Sequence, residues 1–376
     1  MNYRDLEKWK SNWENVNNIY LWGYGKNCRN HMNYLKSTVH IEGIIDNDRK
    51  KIGKIIDSVA VMHPGNIDLM GKKIVVTATS GGYEEICDQL TRLGLEEYVD
   101  FCNITLFVSA MAWFKKNKVV LSTIHMSITT ACTLNCKYCN MYMPFHKGNT
   151  IIYSAEQVKE QLDVLFTKVD NVINLELLGG EPLINKELPK IIAYIYSKYY
   201  DRINNVSIIT NGTIVPNKEL VDVMSKYNVM VNMSNYGLDE QYSNKFRKIK
   251  NMLEEKMIKV VIDESFQWKD FSFPYEHLNL SDEQAYVNMC KCNPVFKGFN
   301  DFKLYFCHLV WSANKAGIYK EQEQDYIDFR EQDNSICEKI FMMNICCFEN
   351  NYVSLCKYCG GCSNMNQKYI SVGEQA

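Results

Sequence analysis

The chain has 376 residues, enough for two or three domains with cores of their own. With 46% hydrophobic and 23% charged residues it has the make-up of an ordinary globular protein, and a net charge of −2 without a long basic stripe argues against a nucleic-acid partner. It has no apolar run of about 18 residues, and its opening stretch lacks the zones of a signal peptide, so a cytoplasmic protein without a membrane partner is expected.

Beyond a polar and aromatic opening segment, the pattern becomes strand, glycine turn and helix. Ile19 to Trp22 leads into Gly23-Tyr24-Gly25-Lys26, and a helix to Leu35 follows. Apolar runs at Ile41–Ile45 and Lys73–Ala78 continue the alternation, which predicts a small parallel α/β sheet. Two glycines with Asp46 about twenty residues on are similar to a dinucleotide fingerprint, but Cys28 stands where its third glycine belongs. Residues 103–118 have no clean period and end in lysines, which predicts an interdomain connection.

From Val119 the alternation resumes. Strands are predicted at 119–129, 172–178, 206–209, 229–233 and 258–263, with helices from Ser154, at 187–200, at 217–227 and at 239–255. Cys132, Cys136 and Cys139 follow the first of these strands with CxxxCxxC spacing, for which chance scatter of 15 cysteines would give roughly 0.02 occurrences. Gly179-Gly180-Glu181-Pro182 follows the second. Every suggestive motif thus falls just past the C-terminal end of a predicted strand, where parallel β/α barrels assemble their sites. A zinc site closed by His146 is the rival reading of the three cysteines.

Nine cysteines crowd into Cys290–Cys362, and in a chain of this size they point to metal more than to disulfides. A strand-like Phe302–Phe306 ends at Cys307, and Cys356-Lys357-Tyr358-Cys359 forms a late CxxC. A structural zinc ribbon would use the same residues.

CxxxC, an aromatic and a third cysteine, followed by GGEP, resemble the radical S-adenosylmethionine (SAM) family. The resemblance implies a partial (β/α)6 barrel in an α/β chain, preceded by a Rossmann-like module at 1–112, itself occupying 113–283, and followed by a small Cys-rich domain at 284–376. It implies a [4Fe-4S] cluster on Cys132, Cys136 and Cys139 whose open iron takes SAM. It further implies that Tyr138 lies beside the adenine, that Gly179, Gly180, Glu181 and Pro182 receive the methionyl group, and that Ser234 and Arg247 reach the rest of SAM. The last third resembles the twitch domain, whose auxiliary [4Fe-4S] cluster would take Cys307, Cys356, Cys359 and either Cys290 or Cys292; the longer SPASM pattern, with two auxiliary clusters, fits the spacing less well. An external electron donor such as flavodoxin or ferredoxin is implied as well.

The N-terminal stretch resembles Rossmann-like modules attached to sugar and polysaccharide biosynthesis proteins. Together these resemblances imply oxidation of an alcohol on a sugar, cyclitol or nucleotide-sugar, with epimerisation and peptide maturation as alternatives and a cluster-bearing binding protein as a different class. No substrate-contacting residue stands out.

Overall fold

In the computed structural model, which describes residues 3–78, 80–264, 267–292, 297–347 and 352–376, two largely parallel sheets carry the architecture. The first contains β1 (Asn18–Trp22), β2 (His40–Ile45), β3 (Ile55–Ile56), β4 (Val59–Met62), β5 (Ile74–Val76) and β6 (Phe101–Asn103), in the order β3-β4-β2-β1-β5-β6. Only β3 is antiparallel to its neighbour in this sheet. The order reverses between β1 and β5, the place where doubly wound sheets open a crevice. Helices α1 (Tyr3–Trp13), α2 (Lys26–Lys36) and α3 (Ser80–Arg92) complete this unit.

Residues 103–118, expected as a connection, instead form α4 (Ile104–Lys116), in which Ile104 to Ala112 are all buried. A helix buried on every side has no polar face, and so no period for sequence reasoning to detect. Trp113 at its end stacks on Phe341 of a later helix, with ring centroids 4.9 Å apart.

The second sheet runs through β7 (Val120–Thr129), β8 (Asn171–Gly179), β9 (Ile203–Thr210), β10 (Met230–Ser234) and β11 (Val260–Asp263), all parallel. Between them lie α5 (Ala155–Leu165), α6 (Leu188–Lys198), α7 (Lys218–Lys226) and α8 (Glu240–Glu255). The Ser154 hydroxyl and Gln157 side chain form the expected capping box at the start of α5. β12 (Gln267–Lys269) leaves this sheet to pair with a late strand. Growth then resumes at the other edge, where β13 (Gly298–Asn300) joins β7 in parallel and is followed by antiparallel β14 (Lys303–Tyr305) and β15 (Tyr326–Asp328). β16 (Tyr369–Ser371) is the partner of β12. The strand order β11-β10-β9-β8-β7-β13-β14-β15 therefore describes an open sheet, and the sixth strand missing from the sequence pattern is supplied by the C-terminal third. That third also contributes α9 (Asp282–Cys292), α10 (His308–Lys315) and α11 (Ile336–Asn344), which carries Phe341. No helix among the described residues is long and apolar enough to cross a membrane.

The two sheets are joined through α2, which packs on β8 and β9. Asn205 Nδ2 donates to the Asn30 carbonyl at 2.8 Å, and His31, fully buried, bonds Ser122 through Nε2 and the Asn27 carbonyl through Nδ1 at 2.8 Å. Nδ1 facing a carbonyl fixes the neutral tautomer, with Nε2 accepting from Ser122. Burial pulls the His31 imidazole down to about 4. An imidazole depressed in the folded state binds its proton more readily when unfolded, so stability is lost as pH falls from the ordinary histidine value toward 4, by about 3 kcal/mol in all. The melting temperature should fall over that window, and His31→Gln should flatten the fall; an unchanged slope would remove His31 as its source.

Candidate cofactor and substrate cavity

A cavity of about 370 Å³ opens at the C-terminal ends of β7 to β11. Cys132, Cys136 and Cys139 line it together with Gly179, Gly180 and Ser234, so six of the residues expected at the SAM site meet there. The cause is local. β7 and β8 pair along nearly their whole length, and beyond them Gly180 N donates to the Thr129 carbonyl at 3.0 Å and Glu181 N to that of Ala131 at 2.8 Å. The backbones approach so closely that a Cβ on Gly180 would lie 2.3 Å from the Ala131 oxygen, and one on Gly179 2.1 Å from that of Thr129.

The thiols are poised but protonated. Burial pushes Cys132 and Cys139 up to about 11 and raises Cys136 as well. Ionisation must therefore come with metal binding. Asn211 Nδ2 approaches Cys132 Sγ at 3.6 Å and Gln375 Nε2 approaches Cys136 Sγ at 3.5 Å, donors suited to a bound thiolate. Three soft thiol donors around one cavity fit an iron–sulfur cluster that leaves one iron without a protein ligand. His146, the fourth zinc ligand of the rival reading, is buried against Ser312, 3.1 Å from its hydroxyl. Among the described residues, no three His, Cys, Asp or Glu side chains form a group suited to a single metal ion.

Four expected residues sit elsewhere. Glu181 is fully buried, and its carboxylate accepts from the Thr210 hydroxyl at 2.9 Å, Asn211 N at 2.8 Å and Leu183 N at 3.1 Å. It ties β8 to β9 below the glycine turn, and burial pushes its carboxyl up to about 7. Pro182 opens a short 3-10 turn and is buried. Tyr138 lines a neighbouring cavity with Cys139, its ring edge-on to Tyr275 at 5.4 Å. Arg247 is exposed on α8 and is not among the residues lining the thiol cavity, because its face of that helix turns to solvent.

Sequence reasoning missed Tyr236, Trp268, His125 and Glu176, all of which line the cavity. Tyr236 and Trp268 meet edge to face at 5.4 Å and provide an aromatic wall. Glu176 is buried, and His125 Nε2 lies 3.1 Å from its Oε2. Lys26, from the glycine turn of the N-terminal sheet, reaches its Oε1 at 3.2 Å, and Asn174 donates to the same oxygen at 3.0 Å. Burial alone would raise this carboxyl, but His125, Lys26 and Asn174 hold it at about 2. A permanent carboxylate therefore lines the cavity.

A second, smaller cavity is lined by Cys292, Cys307, Cys356 and Cys359. Leu309 lines both cavities. Gly361 N donates to Cys359 Sγ and Cys362 N to Cys292 Sγ, each at 3.3 Å. Of the two alternatives left open in sequence, Cys292 belongs to this group. Cys290 turns away to Cys346 and Tyr286, and the Cys346 thiol draws it down to about 6. Tyr142, whose buried hydroxyl has no partner among the described residues, feels both thiol groups. Burial chiefly, then Cys359, Cys307, Cys139 and Cys356, hold its phenol far above the usual range.

In the N-terminal crevice, Asp46 is committed within the protein, accepting from Tyr24 N at 2.7 Å, Asp48 N at 2.8 Å and Lys51 at 2.9 Å. It holds the glycine turn in place.

An open parallel sheet with a three-thiol loop and a facing glycine turn defines a radical SAM domain, and residues 126–267 match the radical SAM superfamily. The chain thus contains a radical SAM domain, and residues 15–99 match C2185-like N-terminal domains. It is 26% identical to the GTP 3′,8-cyclase of Syntrophomonas wolfei over 50% of each chain. Against the enzyme of that name from Clostridium acetobutylicum it is 34% identical over 34% of this chain and 38% of the other. With an S-adenosylmethionine-dependent nucleotide dehydratase of Selenomonas ruminantium it shares 27% over 28% of this chain and 36% of the other. The matches span half or less of these relatives' length. Streptococcus suis SuiB aligns over 69% of this chain and 55% of its own, at 16% identity and a TM-score of 0.32.

Gly180→Ala should force apart the Ala131 and Gly180 backbones and destabilise the protein by about 1–3 kcal/mol, read from chemical denaturation. Unchanged stability would mean that the loop and the turn are not in contact as described.

Proposed function

We propose that the chain is an enzyme that cleaves SAM reductively and takes a hydrogen atom from a hydroxyl-bearing carbon of a nucleotide or nucleotide-sugar, leaving a carbonyl. The observation that carries the reading is the meeting of Cys132, Cys136 and Cys139 with Gly179 and Gly180 in one cavity at the strand ends. A [4Fe-4S] cluster held by those thiols would supply the electron that splits SAM into methionine and a 5′-deoxyadenosyl radical, the agent of hydrogen abstraction.

The protein's part is placement. Gly179 and Gly180 leave the backbone open to the methionyl group, Ser234 offers a hydroxyl to the ribose, and Tyr236 with Trp268 provides an apolar wall for the adenine. Cys292, Cys307, Cys356 and Cys359 would hold an auxiliary cluster, the acceptor of the second electron that alcohol oxidation requires. Leu309, which lines both cavities and makes them neighbours, supports that role. Support for a nucleotide-type substrate comes from the names of the relatives. The dehydratase among them favours a second outcome, loss of water after the same hydrogen abstraction.

Two clusters imply about eight iron per chain, and replacing Cys132, Cys136 and Cys139 together by alanine should leave about four. Iron unaffected by that change, or zinc in its place, would remove the central reading. Anaerobic reaction with dithionite should yield 5′-deoxyadenosine from the unsubstituted protein. Mass spectrometry of the co-product then decides the outcome: two hydrogens lost for oxidation, one water lost for dehydration. In deuterated water, a product of unchanged composition except for one hydrogen replaced by deuterium would replace both with epimerisation.

A further inference from the structure

We propose that the face of the second sheet below the cysteine loop is a substrate-binding wall, on which Glu176 anchors a hydroxyl of a sugar or ribose moiety and Lys26, at the start of α2, holds Glu176 in position. The inference rests on the reading of the cavity as the place of hydrogen abstraction.

Side chains alternate along a strand, so residues two apart share a face. Leu178, Ile209 and Ser234 line the cavity on β8, β9 and β10. The residues two positions earlier, Glu176, Ser207 and Asn232, therefore occupy the same faces one step deeper. The ladders place His125 opposite Glu176 and Glu176 opposite Ser207. The other face of these strands is apolar, with Val206, Ile208, Val231 and Met233 packed in the main core under the helices.

This inner row is polar and unsatisfied. Ser207 Oγ, both polar side-chain atoms of Asn232, and Asn174 Oδ1 are buried and lack a hydrogen-bond partner among the described residues. Their residues are 0%, 6% and 1% exposed. None of these three side chains lines the cavity; they form a polar layer behind Glu176, the member of this row that reaches it. Glu176 completes the pattern. A carboxylate offers about four acceptor positions; Lys26 and Asn174 take two on Oε1 and His125 takes one on Oε2. The remaining position on Oε2 can take a donor from a molecule in the cavity that Glu176 lines.

A carboxylate with an acceptor position left open suits the hydroxyl donors of a polyol, and its negative charge turns a phosphate away from this wall. Lys26 opens α2 just beyond the N-terminal glycine turn. The first sheet thus contributes to the substrate site.

The test uses the full chain, anaerobically reconstituted, with SAM bound and with GTP, UDP-glucose and myo-inositol as probes. At least one probe should raise the melting temperature. Its Kd should weaken about ten- to a hundredfold in Glu176→Gln, a change that keeps the size and shape of the side chain, while the SAM-induced shift of that variant shows that it is folded. Lys26→Met should weaken it too, and Lys26→Arg should restore it. Unchanged affinity in Glu176→Gln overturns the inference, as does a SAM-responsive protein that answers none of the three probes. Absence of any SAM-induced shift in the unsubstituted protein sinks instead the proposed function beneath it.

Discussion

The site depends on one backbone contact. Where β7 and β8 end, the chain on each side turns away, and the two turns remain bonded through Gly180 N to the Thr129 carbonyl and Glu181 N to the Ala131 carbonyl. No side chain larger than hydrogen fits at Gly179 or Gly180, since a Cβ would fall within 2.1–2.3 Å of those same carbonyl oxygens. The glycines therefore give the cysteine loop a fixed floor, and Glu181, bonded to Thr210 and Asn211, fastens that floor to the next strand. A buried carboxylate with three hydrogen-bond donors is costly to place and costly to disturb. It is used here as a rivet.

Much of the barrel was legible in the sequence because its information is local. Strand runs, the Ser154 capping box and the position of each motif past a strand end are all statements about neighbours within a few residues. The three cysteines and two glycines were found for that reason. Alternation also located β14 through Phe302–Phe306, and Cys307 just past it lines the smaller cavity.

What failed was non-local. Cys290 and Cys292 are two positions apart at the end of α9, and a helix turns by about 200° over two residues, so their thiols leave on different sides. Only the packing of α11 and the CxxC turn decides which joins Cys307, Cys356 and Cys359. Arg247 failed for a related reason: a charged residue placed thirteen positions after Ser234 can be reached by counting, but the buried stripe of α8 runs through Tyr242, Phe246, Ile249 and Leu253 and leaves Arg247 outside. The helix α4 was misread because burial on every side erased the pattern that reading relies on.

The first sheet is the larger lesson. Its glycine turn and Asp46 are similar to a dinucleotide fingerprint only in part, and Asp46 is occupied in holding the turn, while Lys26 beside it reaches Glu176 of the second sheet. The packing agrees with this. One hydrophobic cluster includes Trp9 and Trp13 of α1, Val120 and Ile173 of the second sheet, and Phe341 and Ile345 near the C-terminal end, so the N-terminal unit shares its core with both later parts of the chain. A tethered binding module would keep its apolar core to itself and meet its neighbours through a polar surface. Here α2 instead brings His31 to Ser122 and Lys26 to Glu176, and the position of the buried carboxylate in the cavity depends on how the first sheet is docked.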